Sequence, residues 1–139
     1  MPPQTQAPNP LDIQARAALA DAAASMSPQS ALLAWADWAS HLAISPGKQS
    51  ELAALALEQA AALAGYLREC LMTGPGEARD CIAPPAQDRR FAELEWRRWP
   101  FNLWHQGFLL NQRWWEAATH GVAGVERHHE NVVAFAARQ

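Results

Sequence analysis

Apolar residues recur along the chain at spacings of three and four, with no run of strict alternation, so the pattern predicts helices and no strands. Three Xaa-Pro pairs punctuate the first half. Asn9-Pro10, Ser27-Pro28 and Ser45-Pro46 each set a capping side chain ahead of a proline at the first helical position, where the missing N–H removes no hydrogen bond. They predict helices over 10–25, 28–43 and 46–72. In the second of these Leu32, Trp35, Ala39 and Leu42 fall on one face; in the third Leu52, Leu55, Leu63, Tyr66, Leu67 and Cys70 do so. From Thr73-Gly74-Pro75-Gly76 to Pro84-Pro85 the periodicity stops and the chain reads as a linker. Pro100 keeps its predecessor out of helical angles, and a helix over 102–119 follows. Phe101, Trp104, Phe108 and Trp115 make one stripe on it, and Leu103, Leu110 and Trp114 a second, which predicts burial on two sides. Gly121 and Gly124 mark its end, and a last helix over 125–138 carries Val125, Val132, Val133 and Ala136. The fold class is all-α. It is a small helical array of about three N-terminal helices, a linker, an aromatic-rich helix and a final helix.

Composition sharpens this picture. Of the 54 residues from 11 to 64, 19 are alanine, the best helix former, and small side chains let helices approach closely. Five of the seven tryptophans lie after residue 95, so the aromatic weight sits in the second half. The chain divides into a disordered tail over 1–9, an Ala-rich three-helix module over 10–72, a Gly/Pro linker over 73–87 and an aromatic-rich module over 88–139. Net charge is −3, too mild to make nucleic acid the expected partner. Glu58 interrupts the longest apolar candidate, so no membrane span is expected, and the first ten residues lack the pattern of a signal peptide. A reduced, cytoplasmic setting follows from these features and from two cysteines.

Candidate chemistry is sparse. Cys70 and Cys81 have no flanking glycine elbow to expose a nucleophile, so Cys70 reads as an inert core thiol and Cys81 as a linker thiol. His128 and His129 are adjacent and diverge on a helix, and no His-x-x-x-His pair occurs with a carboxylate. His41 reads as a capping or satisfied core histidine. Arg89, Arg90, Arg97 and Arg98 interleave with Phe91, Trp96 and Trp99, but Asp88, Glu93 and Glu95 neutralise them. No catalytic residue, cofactor or metal is expected. The candidate interaction residues are Trp96, Trp99, Phe101, Trp104, Phe108, Trp114 and Trp115.

Two blocks carry a resemblance. The first is Asp37-Trp38-x-x-His41-Leu42 followed by Ser45-Pro46-Gly47-Lys48-Gln49-x-Glu51-Leu52. The second is Asp88-Arg89-Arg90-Phe91-Ala92, Trp96, Pro100-Phe101, Gln106-Gly107-Phe108-Leu109-Leu110 and Arg113-Trp114. Together they resemble the N-terminal region of bacterial polyhydroxyalkanoate synthases, the second block resembling the opening of the synthase domain. Where that family often reads Asp-Pro after Phe-Ala, this chain has Glu93-Leu94. The resemblance implies a parent acyltransferase that polymerises 3-hydroxyacyl groups from coenzyme A thioesters with a Gly-x-Cys-x-Gly cysteine on an α/β-hydrolase core. None of those catalytic positions has a counterpart here, and the chain reads as a piece of that parent. Implied for this region are dimerisation, docking of the catalytic core or attachment to the polyester granule. The rival reading is a stand-alone granule-associated or regulatory binding protein without a catalytic core.

Overall fold

The computed structural model describes residues 27–139 and Gln14. The expected tail over 1–9 and, apart from Gln14, the helix over 10–25 lie outside the described residues. Four α-helices and one short 3-10 helix make up the regular structure: α1 Pro28–Ala43, α2 Pro46–Thr73, the 3-10 turn Leu94–Arg97, α3 Phe101–Thr119 and α4 Arg127–Ala137. The described residues form an all-α array with no strand.

The helix starts follow their caps. Ser27 stands in extended geometry, and its Oγ accepts the Ser30 backbone N–H at 3.1 Å, one of the donors a helix start leaves without an internal partner. Between α1 and α2 only Ile44 and Ser45 intervene. The Gln49 side-chain amide donates to the carbonyls of Leu42 at 2.8 Å and Ala43 at 3.0 Å, and the Ser45 hydroxyl donates to His41 at 2.7 Å. The first turn of α2 thus caps the last turn of α1. Gly74 ends α2 at a φ of 96°, where a side chain would be strained.

Packing crosses the chain. The most extensive helix contact is between α1 and α4, while α3 lies against both α2 and α4. Ala34, Val132 and Val133 are buried together under Trp35 and Trp38, so the first and last described helices share a core. The segment expected as a linker is non-helical but tied down. The Ile82 N–H donates to Gln106 Oε1 at 3.0 Å, and the Arg79 N–H to Glu69 Oε1 at 3.2 Å.

Several expectations about faces need correction. The α2 stripe is as read: Leu52, Tyr66 and Cys70 are buried and Leu55, Leu63 and Leu67 half-buried. On α1 the inward face is instead Ala34, Trp35, Asp37, Trp38, His41 and Leu42, with Leu32 and Ala39 outside. Helix α4 begins at Arg127, two residues late, because Gly124 at φ 90° holds the chain in a turn ahead of it. The aromatic helix is not buried on two apolar sides. Its buried residues are Asn102, His105, Gln106, Leu109, Leu110, Ala118 and Thr119, whereas Phe101, Trp104 and Phe108 are exposed.

Candidate functional site

Three constellations emerge from this packing. The first joins α1 to α4. Asp37 projects from the middle of α1, and its Oδ2 accepts from His129 Nδ1 at 2.7 Å and from the Glu126 backbone N–H at 3.2 Å. Its Oδ1 lies 3.0 Å from His41 Nδ1. These contacts hold the Asp37 carboxyl below the usual carboxylate range, chiefly through the His129 hydrogen bond and then through the Glu126 N–H. The next residue is Trp38, whose indole donates to the Ala118 carbonyl at 2.8 Å. Trp115 closes the joint, its ring 6.3 Å from Trp35 and 6.2 Å from Trp38, and Trp114 stacks edge-on against it at 5.2 Å. Trp114 also donates to the Leu52 carbonyl on α2 at 3.0 Å.

The second is a buried polar seam between α2 and α3. Asn102 Nδ2 donates to Tyr66 Oη at 3.0 Å and reaches Cys70 Sγ at 3.4 Å. Burial pushes the Tyr66 phenol up to about 12, so it stays a protonated donor. His105 stacks on Phe91 with ring centres 4.4 Å apart, and burial lowers its basicity, which favours the neutral imidazole. Its Nε2 and the Asn102 Oδ1 have no hydrogen-bond partner among the described residues. A cavity of about 310 Å³ opens beside them, walled by Tyr66, Asp80, Phe91, Trp96, Arg97 and His105.

The third is an exposed aromatic ridge. Trp104 is 61% accessible, with Phe101 and Phe108 on the same face of α3, and Trp99, just ahead of the helix, is 55% accessible. Phe101 packs edge-on against Trp104 at 5.5 Å, and Arg90 lies over the Phe108 ring at 5.0 Å. Arg90 is aimed by Asp88, which accepts from its Nε at 2.9 Å and its Nη2 at 2.6 Å, a bidentate pair that holds Asp88 down to about 2.

The seven residues singled out from the sequence therefore part company. Trp99, Phe101, Trp104 and Phe108 stay at the surface, Trp96 is half-buried at the cavity, and Trp114 and Trp115 turn inward as half-buried joints between helices. Cys70 is buried and Cys81 partly so; both are free thiols, and burial raises that of Cys81. Among the described residues no group of three histidine, cysteine or acidic side chains is arranged to hold a metal ion, and no helix is long and apolar enough to cross a membrane.

Residues 6–48 match the family model described as Poly-beta-hydroxybutyrate polymerase N terminal, and residues 87–139 that described as Poly-beta-hydroxybutyrate polymerase (PhaC) N-terminus. The chain carries a polyhydroxyalkanoate synthase N-terminal region. It is similar to a poly(3-hydroxyalkanoate) polymerase of Methylorubrum extorquens, with 36% identity over 59 residues, 42% of this chain. That stretch spans 10% of the relative's length. No solved structure matches the chain.

The motif residues of this synthase region now have physical roles. Asp37, Trp38 and His41 are the α1 side of the joint with α3 and α4, and Ser45 and Gln49 cap α1. Asp88 and Arg90 brace Phe91 and Phe108, and Gln106 pins Ile82. Sequence reasoning had Asp37 in a motif and weighed His129 only as a metal ligand, without pairing them, and it gave Asn102 and His105 no role. The available signal was polar residues at 102, 105 and 106, spaced by three and four on a helix otherwise rich in aromatics.

Proposed function

We propose that this region is a non-catalytic docking element of a polyhydroxyalkanoate synthase, a cytoplasmic acyltransferase that polymerises 3-hydroxyacyl-coenzyme A into polyester and works at the polyester granule. Its role is to seat the α/β-hydrolase catalytic core of the same parent chain. The observation that carries the reading is the exposed ridge of Phe101, Trp104 and Phe108 on one side of α3, with Trp99 exposed just ahead of the helix. Four clustered large aromatics cost solvation, and surface patches of this kind mark interaction sites. A protein partner is favoured by the composition: tryptophan and, at Arg98, arginine are residue types enriched at protein–protein hot spots. Covering three of these side chains gives about 1.5–3 kcal/mol each by area before association entropy is subtracted, a contribution to a contact rather than the whole of one.

The test is binding of the chain to a separately produced synthase catalytic core, measured by sedimentation. Trp104→Ala with Phe108→Ala is expected to weaken binding at least about tenfold, with helicity by circular dichroism unchanged. Unaltered core binding in that variant overturns the docking assignment. Self-association of the chain, or its capture on poly-3-hydroxybutyrate particles, abolished by the same change would move the ridge to a homodimer or granule contact instead.

A further inference from the structure

The cavity beside the polar seam has no part in the docking reading, yet it is built from parts that suit a small ligand. Its volume of about 310 Å³ sits at the lower end of the range of about 300–1,000 Å³ found for small-molecule sites. Phe91 and Trp96, edge-on at 4.8 Å, give it an apolar wall. Tyr66, Asp80, Arg97 and His105 give it two protonatable groups held neutral and one charge of each sign.

His105 is the second observation. It is more than nine-tenths buried, lines the cavity, and its Nε2 has no partner among the described residues. An unpaired buried polar atom is costly, and each one in a folded protein calls for a reason. A half-turn of the imidazole about its Cβ–Cγ bond keeps the ring plane and its stack on Phe91 while exchanging the places of nitrogen and carbon. The ring therefore has a way to present nitrogen to an incoming group without leaving its slot.

We propose that this cavity binds one short 3-hydroxy acid unit, free or as the end of its oligoester. The guanidinium of Arg97 suits the carboxylate or ester carbonyl, the carboxylate of Asp80 suits the hydroxyl, His105 and Tyr66 supply neutral hydrogen bonds, and the Phe91–Trp96 wall takes the alkyl part. The choice of hydroxy acid rests on the polyester-synthase reading; the cavity and its unpaired imidazole do not.

The experiment titrates (R)-3-hydroxybutyrate and, separately, its linear trimer into the 139-residue chain and follows amide and imidazole NMR shifts. Saturable shifts are expected at Phe91, Trp96 and His105, with the Trp38 indole unmoved as a distant reporter of the fold. His105→Phe, which keeps a stacking ring, and Asp80→Asn, at an exposed loop position, should each weaken binding about tenfold. Tighter binding of the trimer assigns the site to the polyester end, and equal binding to the free acid. No saturable shift with either probe at millimolar concentration, or shifts that survive both substitutions, overturns the proposal. Trp104→Ala alone, a ridge change whose aromatic neighbour Phe101 does not line the cavity, should leave this titration unchanged, so failure of the docking role and failure of the cavity are read separately.

Discussion

At the scale of single residues, Asp37 shows how one carboxylate organises a tertiary joint. It takes hydrogen bonds from α4 and the turn ahead of it while sitting in α1, and a neighbouring glycine makes the approach feasible. A Cβ at Gly124 would overlap the His41 ring, and the residue's φ of 90° strains any side chain. Gly124→Ala should therefore cost about 1–3 kcal/mol in urea unfolding. Adding His41→Ala should return the steric part and leave the backbone part. Acid sensitivity belongs to this scale as well. His105 is less basic folded than unfolded, so below its ordinary value of 6.5 the unfolded chain binds the extra proton and stability falls as pH falls. Asp37 and Asp88 are more acidic folded than unfolded, so their contribution is complete above 3.8 and fades below it, for Asp88 until pH about 2. Urea midpoints across pH should decline in two stages. His105→Phe should flatten the earlier stage and leave the later one; a wild-type midpoint constant from pH 7 to 5 would contradict this account.

At the scale of elements, α3 separates structural from surface aromatics. Trp115 packs against two tryptophans of α1, whereas the aromatic ring against Trp104 among the described residues is its ridge neighbour Phe101. Trp115→Ala should destabilise by about 2 kcal/mol, less than the 3–5 of a fully buried aromatic because the ring is half-buried. Trp104→Ala should stay within about 0.5 kcal/mol, since surface changes away from packing features do so. Thermal unfolding of the two variants checks both expectations. Helix boundaries were largely legible from sequence: α1 runs over the expected 28–43, α2 gains one residue at its end and α3 one at its start. Ser-Pro pairs and glycines are local signals, so local reading suffices for them. The inward faces of α1 and α3 were not legible, since periodicity says which residues share a face and not which face meets a neighbour.

At the scale of the whole molecule, α1 packs on α4 across the entire described chain, and the intervening segment is bonded to both α2 and α3. Limited proteolysis that cuts within 73–87 should leave two fragments that remain together in gel filtration without denaturant. Their separation under those conditions would show that the two helical modules are independent. The amino-acid sequence by itself determined the all-α class, the starts of α1 and α2 and the two motif blocks of a polyhydroxyalkanoate synthase N-terminal region, because caps, prolines and motifs act within a few residues of one another. Only tertiary structure decided that Asn102, His105 and Gln106 would be buried while Phe101, Trp104 and Phe108 stayed outside. Tyr66, Cys70 and Ile82 come from distant stretches to meet those polar groups, and a polar side chain is tolerated in the interior when partners from elsewhere offset its lost hydration.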